Sequence, residues 1–174
     1  FSSIIVQYTK IEPYMYTHAP TEVPWYDHPV NTGYTNHGEG IGYSLFPNSD
    51  ELKVRFTAMP FWFLTGEAQF RMLRHGLTTG GSTFTEIWTY DQLGNKDFLK
   101  DGAYEWIYSF GLSADYNMRH IGIPITLGLS YVFYYRNLTD YPNSGFSPVD
   151  KVVHNGQVYK SGCNNLVSLS VKIW

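Results

Sequence analysis

Apolar and polar residues alternate with a period of two over segment after segment of this chain. The clearest segment is residues 104–116, in which the even positions are apolar and the odd positions are mostly small or polar. Residues 121–135 alternate in the same way, with the apolar side chains at odd positions. A period of two places alternate side chains on opposite faces of a β-strand. The alternation therefore predicts an all-β protein whose strands each have one apolar and one polar face.

Four further segments bring the predicted number of long strands to six. These segments are residues 3–17, 51–58, 62–72 and 165–173. A short turn is predicted near Pro60, between the second and third strands, and another from Asn117 to His120, between the fourth and fifth. The remaining connections are long, at about residues 18–50, 75–102 and 137–164. Short turns on one side and long loops on the other are typical of outer-membrane barrels.

Charges on the second and third strands suggest how these two strands pair. With the turn centred on Phe61, Arg55 lies opposite Glu67. The same register places Glu51 opposite Arg71. Because opposite charges across an antiparallel pair are favourable, we predict this register.

Three features favour a membrane barrel over a soluble sandwich or a lipocalin. The clearest strands have about 13–15 residues, whereas strands of globular sheets have a mode of about 5–6. The strand from Trp106 to Tyr116 has aromatic ends about 33 Å apart, or about 25 Å along the normal of a membrane when tilted. Charged residues such as Lys53 and Glu67 lie on the polar face, where a dry core would make them costly. We expect an antiparallel up-and-down transmembrane β-barrel in the bacterial outer membrane.

Composition and motifs argue against several other classes of protein. The longest apolar stretch, residues 58–64, is far shorter than the roughly 20 residues of a spanning helix. The net charge of -3 comes without a basic stripe, so we expect no nucleic-acid binding. Cys163 is the single cysteine, which excludes an intrachain disulfide and a thiolate metal cluster.

Catalytic and metal motifs are also absent from the sequence. His18, His28 and His37 are too widely spaced to form a compact metal-ligand motif. No serine lies in a nucleophile-elbow motif. We therefore expect a protein that is not an enzyme and that uses no metal or other cofactor.

Six strands are few for a complete barrel, because single-chain outer-membrane barrels begin at about 8 strands. We expect residues 1–174 to be the C-terminal segment of one larger barrel domain. A protomer of a multi-chain barrel is the alternative.

Several short motifs follow one another between Gln7 and Gly76. They are the strand Gln7-Tyr8-Thr9 with Pro13 and Tyr16-Thr17-His18, the loop Gly33–Gly42, the segment Pro47-Asn48-Ser49-Asp50-Glu51-Leu52, and the strand end Arg71-Met72-Leu73-Arg74-His75-Gly76. In order and spacing they resemble the Wzi family of capsule-assembly outer-membrane proteins. Ser44 and Phe46 depart from that family, which usually has proline and glycine at these positions.

The resemblance implies a large barrel with a periplasmic helical element and a lectin-like, non-enzymatic role in capsule assembly. The expected function is to bind and anchor capsular or extracellular polysaccharide at the cell surface of a Gram-negative bacterium. The implied partners are that polysaccharide, outer-membrane lipid and, during insertion, the barrel-assembly machinery. A porin or diffusion channel is the alternative, because the polar face carries charged and small side chains.

The first long connection holds the candidate glycan-binding residues. Aromatic rings stack on the C–H faces of sugars and planar polar groups bind hydroxyls, so sugar sites combine both chemistries. The candidates are Trp25, Tyr26, His28, Tyr34, Asn36, His37 and Glu39. A folded loop whose aromatic side chains pack against one another is the alternative.

The polar face is expected to line the lumen of the barrel. The candidate lumen-lining residues are Lys53, Arg55, Glu67, Gln69, Arg71 and Arg74. Either they form a path for a glycan or an ion, or they are hydrated ion pairs of the wall. A strip of small residues is predicted beside them, at Ser109, Gly111, Ser113, Gly122, Thr126, Gly128 and Ser130.

Overall fold

A computed structural model of the chain describes residues 1–12, 35–36, 39–40, 45–77, 98–99, 103–140, 147–154 and 157–173. The six long strands are β1 (Ser2–Ile11), β4 (Ser49–Phe61), β5 (Leu64–Gly76), β6 (Ala103–Asn117), β7 (Ile125–Asp140) and β11 (Gly162–Ile173). The short strands are β2 (Thr35–Asn36), β3 (Glu39–Gly40), β8 (Pro148–Val149), β9 (Lys151–His154) and β10 (Gln157–Lys160). One 3-10 helix covers Met118–Ile121.

The long strands form one antiparallel sheet in the order β1-β4-β5-β6-β7-β11. Each long strand therefore pairs with the long strand that follows it along the chain. β8 pairs with β7, whereas β2 with β3 and β9 with β10 form separate hairpins. This arrangement confirms the predicted all-β, antiparallel fold. In the part of the chain that the structure describes, β1 pairs only with β4 and β11 only with β7, so the sheet is open at both edges.

The turn between β4 and β5 consists of Trp62 and Phe63, which corrects the predicted register. Arg55 lies opposite Gln69 rather than Glu67, and the ladder shifts between Ala58 and Phe61. Pro60 lies within this shift, where its missing N–H and fixed φ disfavour regular pairing. The predicted register is thus wrong by two residues.

The charges of β4 and β5 meet diagonally instead. Arg55 Nε is 3.6 Å from Glu67 Oε1, and Arg71 Nε donates to Glu51 Oε1. Because diagonal neighbours on one face of a sheet are within reach of long side chains, the expected ion pairs form without the expected register.

The turn between β6 and β7 contains the 3-10 helix. The Asn117 side chain accepts a hydrogen bond from the Arg119 N–H at 3.0 Å and begins the helix. Gly122 ends it with a φ of 83°, in the left-handed region that favours glycine. β7 begins at Ile125, so Ile121 and Gly122 belong to this turn and not to the strand in which the alternation placed them.

Aromatic side chains from both short turns meet at this end of the sheet, which we call the turn end. Phe63 stacks on the His120 ring at 4.3 Å between centroids. His120 Nδ1 donates to the Asn117 carbonyl at 2.9 Å, because a carbonyl only accepts. His120 Nε2 lies 3.0 Å from the Tyr116 hydroxyl and shares a hydrogen bond with it. These contacts join the two short turns into one cluster.

Residues that lie opposite one another in neighbouring strands share a face, so the ladder defines two faces of the sheet. One row on the apolar face is Val6, Val54, Phe70, Phe110 and Phe133. This face leaves large apolar side chains exposed on all six long strands. They include Ile4, Val6, Phe56, Phe70, Phe110, Leu112, Leu127, Leu129, Val167, Leu169, Val171 and Ile173. Exposed apolar surface of this extent marks contact with another apolar phase or surface.

Aromatic residues lie at both ends of the apolar face. Tyr8, Trp106, Tyr108 and Tyr135 lie near the end from which the long connections leave, which we call the loop end. Phe61 and Tyr116 lie at the turn end. Two aromatic belts at the ends of an apolar band are typical of transmembrane β-sheets.

Buried apolar side chains in the described ranges lie at or near the loop end. They are Ile11, Leu45, Leu73, Leu77, Tyr104, Ile107, Leu138 and Val152. Most of them belong to two clusters, and both clusters include residues of the polar face. The packed part of the molecule is therefore the loop end, where the first and third connections return to the sheet.

Candidate functional site at the loop end

The first connection returns to the sheet through Leu45–Asn48 and covers the loop end of the polar face. Leu45 packs with Ile11, Leu73 and Ile107, which come from β1, β5 and β6. Tyr134 of β7 borders this cluster. At the loop end, the polar face therefore carries a layer of apolar side chains, and Leu45 of the first connection covers this layer.

Asn48 links three parts of the loop end. Its backbone N–H donates to the Glu12 carbonyl at 3.3 Å, and its carbonyl accepts from the Gly76 N–H at 3.0 Å. Its side-chain Oδ1 accepts from the Leu99 N–H, which belongs to the second connection, at 3.0 Å. Asn48 is fully buried and has a φ of 55°, a conformation that asparagine adopts more readily than most residues. The first and second connections are thus joined at one residue.

Gly76 provides the space that this arrangement needs. A Cβ atom at Gly76 would overlap the Asn48 side-chain amide. Gly76 ends β5 directly beside Asn48. The absence of a side chain here allows the Asn48 amide to lie against the end of the strand.

The third connection packs on the loop end through the β9–β10 hairpin. Val152 of β9 packs with Leu138 of β7 and with Leu77, and Tyr159 of β10 borders this cluster. Ser161 joins the connection to the sheet, because its hydroxyl donates to the Val149 carbonyl at 2.6 Å and accepts from the Leu138 N–H at 3.2 Å. The hairpin is therefore held both by apolar contact and by hydrogen bonds.

Tyr159 remains a neutral phenol in this position. Burial raises the pKa of the Tyr159 hydroxyl, and the nearby Glu105 carboxylate raises it further, against the smaller opposite effect of Arg136. Both main causes act in the same direction, since each disfavours a phenolate. The hydroxyl therefore keeps its proton over the physiological pH range.

A buried polar cluster lies under the connections on the polar face. His75 Nδ1 is 2.9 Å from Glu105 Oε1, and Arg136 Nε is 3.2 Å from Glu105 Oε2. Phe46 of the first connection stacks on the His75 ring at 5.5 Å between centroids. The cluster joins β5, β6 and β7 and places an exposed aromatic side chain above them.

Most of the predicted glycan-binding residues lie outside the described residues. Those are Trp25, Tyr26, His28, Tyr34 and His37. The backbones of Asn36 and Glu39 pair with each other in the β2–β3 hairpin. The β2–β3 pairing thus lies at the C-terminal end of the predicted glycan-binding segment.

Five of the six predicted lumen-lining residues share the polar face. They are Lys53, Arg55, Glu67, Gln69 and Arg71. Arg74 is the exception and corrects the prediction, because it lies opposite Asp50 and Trp106 on the apolar face. Arg74 forms an ion pair with Asp50 and lies over the Trp106 ring at 5.3 Å. Arg74 is an even-numbered residue of β5, and the even-numbered residues of this strand lie on the apolar face. The period of two therefore predicts the position of Arg74 from the sequence.

The predicted strip of small residues lies on the polar face, except for Gly122 in the turn. β11 extends the strip with Ser168 and Ser170, which continue the rows of Ser130 and Gly128. A cavity of about 230 Å³ lies between the strip and β5. Its lining includes Glu67, Gln69, Gly111, Ser113, Ser130 and Val132.

Among the residues that the structure describes, no helix is both long and apolar enough to cross a membrane. No group of three or more histidine, cysteine or acidic side chains in the same part of the chain is placed to hold a metal ion.

Comparison of the chain with protein-family models, with curated proteins and with solved structures gave no match.

Replacement of Asn48 by alanine is expected to release the first and second connections from the sheet. The variant loses the hydrogen bond to Leu99, worth about 0.5–1.5 kcal/mol, and forces alanine into the left-handed region, which costs about 1–2 kcal/mol. The expected result is faster cleavage of both connections when the folded full-length protein is treated with chymotrypsin.

Asn48→Gly is the matched control for this prediction. Glycine adopts the same φ without strain, so this variant should lose the contacts of the Asn48 side chain without the backbone strain, and lie between alanine and wild type. Wild-type cleavage rates in Asn48→Ala would show that Asn48 does not hold the connections.

Proposed function

We propose that this chain forms part of an outer-membrane β-barrel that binds and anchors capsular or extracellular polysaccharide at the bacterial cell surface. The observation that carries the proposal is the exposed apolar face, which is backed by a polar face and has all three long connections at one end. A surface-anchoring protein needs both a membrane-facing wall and an elaborated outer end.

The placement of the apolar side chains supports a membrane wall. A soluble sandwich buries its apolar face beneath a second sheet. Here the buried apolar residues lie at or near the loop end, and residues such as Leu129 and Leu169 in the middle of the apolar face are exposed. The open edges at β1 and β11 accommodate further strands of a closed barrel.

The loop end supports a role in surface binding. Leu45 of the first connection and the β9–β10 hairpin of the third pack onto the polar face, and Asn48 joins the first connection to the second. Connections that are held in place by a rigid sheet are the usual location of binding residues. The resemblance to capsule-assembly proteins covers residues 7–76, which include the second half of β1, all of β4 and β5, and the first connection.

The direct test compares cell-attached with shed polysaccharide in a strain that lacks the gene. We expect the deletion to shift polysaccharide from the cells to the medium, and a full-length copy to restore attachment. Unchanged attachment in the deletion strain would overturn the anchoring function and leave the barrel fold untouched.

A diffusion channel is the second candidate, because the polar face carries charged side chains beside a strip of small residues. Planar-bilayer recordings on the full-length protein separate the two functions. Steady conductance through single molecules favours a channel. Little or no conductance favours an anchor whose loop end is covered.

Alanine at Trp25, Tyr34 or His37 is expected to weaken glycan binding while the barrel still assembles. Loss of one aromatic contact is worth about 0.5–1.5 kcal/mol, so each variant should bind the polysaccharide about two- to tenfold more weakly. Binding is measured on the purified variants, and heat-modifiable mobility in gels reports assembly. Normal binding by all three variants would move the glycan site away from the first connection.

A further inference from the structure

Three cations lie close together on the polar face of β4 and β5. Lys53 lies directly opposite Arg71 in the ladder, and Arg55 follows Lys53 two residues along β4. Side chains that are opposite one another are about 5 Å apart at Cβ, and alternate residues of a strand are about 7 Å apart. We call Lys53, Arg55 and Arg71 the cationic patch.

The carboxylates that accompany the cationic patch are less exposed than the cations. Glu51 is 1% exposed and pairs with Lys53 at 2.7 Å and with Arg71, which are 41% and 36% exposed. Glu67 is 32% exposed, whereas its partner Arg55 is 55% exposed. Three cations thus accompany two carboxylates, and the cations lie outermost. A ligand that approaches the polar face here meets positive potential.

The arginines of the patch retain hydrogen-bonding capacity beyond their ion pairs. A guanidinium group has five N–H donors, and a single carboxylate engages at most two of them in a fork. Arg55 and Arg71 therefore hold donors for a second carboxylate while they remain paired with Glu67 and Glu51.

A cavity adjoins the cationic patch. Gln69 lies opposite Arg55 in the ladder and lines the cavity of about 230 Å³. Its remaining lining is Glu67, Gly111, Leu112, Ser113, Ser130 and Val132. This volume is below the ~300–1,000 Å³ of pockets for drug-sized ligands, so it admits one small unit such as a monosaccharide, between polar and apolar residues. Because the Glu67 carboxylate lines the cavity, the carboxylate of a bound sugar is expected to point towards Arg55 and away from Glu67.

We propose that the cationic patch binds the carboxylate groups of an acidic polysaccharide, with one sugar unit in the adjoining cavity. The ligand class is a uronate-containing glycan. This inference rests on the proposed function, and it specifies that the bound polysaccharide is negatively charged.

The test measures binding of fluorescent oligogalacturonate to the full-length protein in detergent, beside an uncharged malto-oligosaccharide of equal length. We expect the acidic oligomer to bind at least about tenfold more tightly, and this preference to shrink at 1 M salt, where screening acts within about 3 Å. Arg55→Gln should weaken binding of the acidic oligomer by about fivefold, the size expected for one exposed charge pair.

Two variants control for the effect of Arg55→Gln. Arg55→Lys keeps the charge and should retain most of the affinity. Arg119→Gln removes an exposed cation from the turn end and should bind like wild type. Heat-modifiable mobility of each variant verifies that the barrel has folded.

Each remaining outcome has a separate meaning. Equal binding of acidic and neutral oligomers, with no effect of Arg55→Gln, overturns the inference and leaves the anchoring function standing. If free galacturonate binds as tightly as the acidic oligomer, the patch is a site for small carboxylates. That result overturns the proposal that the ligand is a polysaccharide. Failure of both oligomers to bind, together with unchanged capsule attachment in the deletion strain, overturns the anchoring function as well.

Discussion

Arg74→Met is expected to lower the free energy of unfolding by about 3 kcal/mol, the lower end of the range for breaking a buried ion pair, because the Arg74 side chain is 33% exposed. Asp50 is 2% exposed, and Arg74 Nε donates to its Oδ1 at 2.7 Å. The Tyr8 hydroxyl donates to Oδ2 of the same carboxylate at 3.1 Å. Lys10 lies opposite Asp50 in the ladder, but its ammonium group pairs with Glu12 at 2.6 Å. Without the guanidinium group, the buried Asp50 carboxylate therefore loses its ion-pair partner, and one neutral hydrogen bond does not replace it.

The double variant Asp50→Asn with Arg74→Met isolates this cause. A neutral amide at position 50 removes the buried charge and can still accept the bond from Tyr8. We therefore expect the double variant to be more stable than Arg74→Met alone in a urea titration of the refolded protein, followed by tryptophan fluorescence. Equal stability of the two variants would show that loss of packing, rather than the unpaired carboxylate, causes the destabilisation.

Leu112→Arg is expected to destabilise the folded protein by about 2–4 kcal/mol, the cost of arginine near the midplane of a bilayer. Leu112 lies midway along β6 between Tyr108 and Tyr116 on the apolar face, and its side chain is exposed. In lipid vesicles, the variant should fold in lower yield and unfold at lower urea concentration than wild type.

Ser113→Arg provides a matched control one residue further along the same strand. Ser113 lies on the polar face and lines the cavity, so an arginine there remains hydrated and should cost little. The comparison holds the strand, the depth and the new side chain constant, and only the face differs. Equal destabilisation by the two variants would contradict a lipid-facing apolar surface.

Strands and faces were predictable from the sequence, because they depend on a local period of two. Residues 104–116 and 165–173 lie in β6 and β11 with the expected side chains on each face. The register of β4 and β5 was not predictable from charge, because long arginine side chains reach diagonal partners as well as direct ones. The position of the turn at Trp62 and Phe63 determines that register, and neither residue carries a strong turn signal.

The polar contacts of the loop end were not predictable from the sequence. Asn48 and Leu99 are 51 residues apart, and no local pattern relates them. His75 and Glu105 are likewise brought together by the pairing of β5 with β6. Candidates in the first connection were chosen by residue type alone, and most of them lie outside the described residues.

Because each long strand pairs with the next one along the chain, the pairing of the sheet does not depend on the length of the long connections. The short turns at the turn end determine the register of β4 with β5 and of β6 with β7. The long connections lie at the opposite end and do not determine these two registers. Doubling the length of a flexible connection costs only about 0.6 kcal/mol of closure entropy. We therefore expect insertions and replacements between the residues that anchor the connections to leave the pairing of the long strands unchanged.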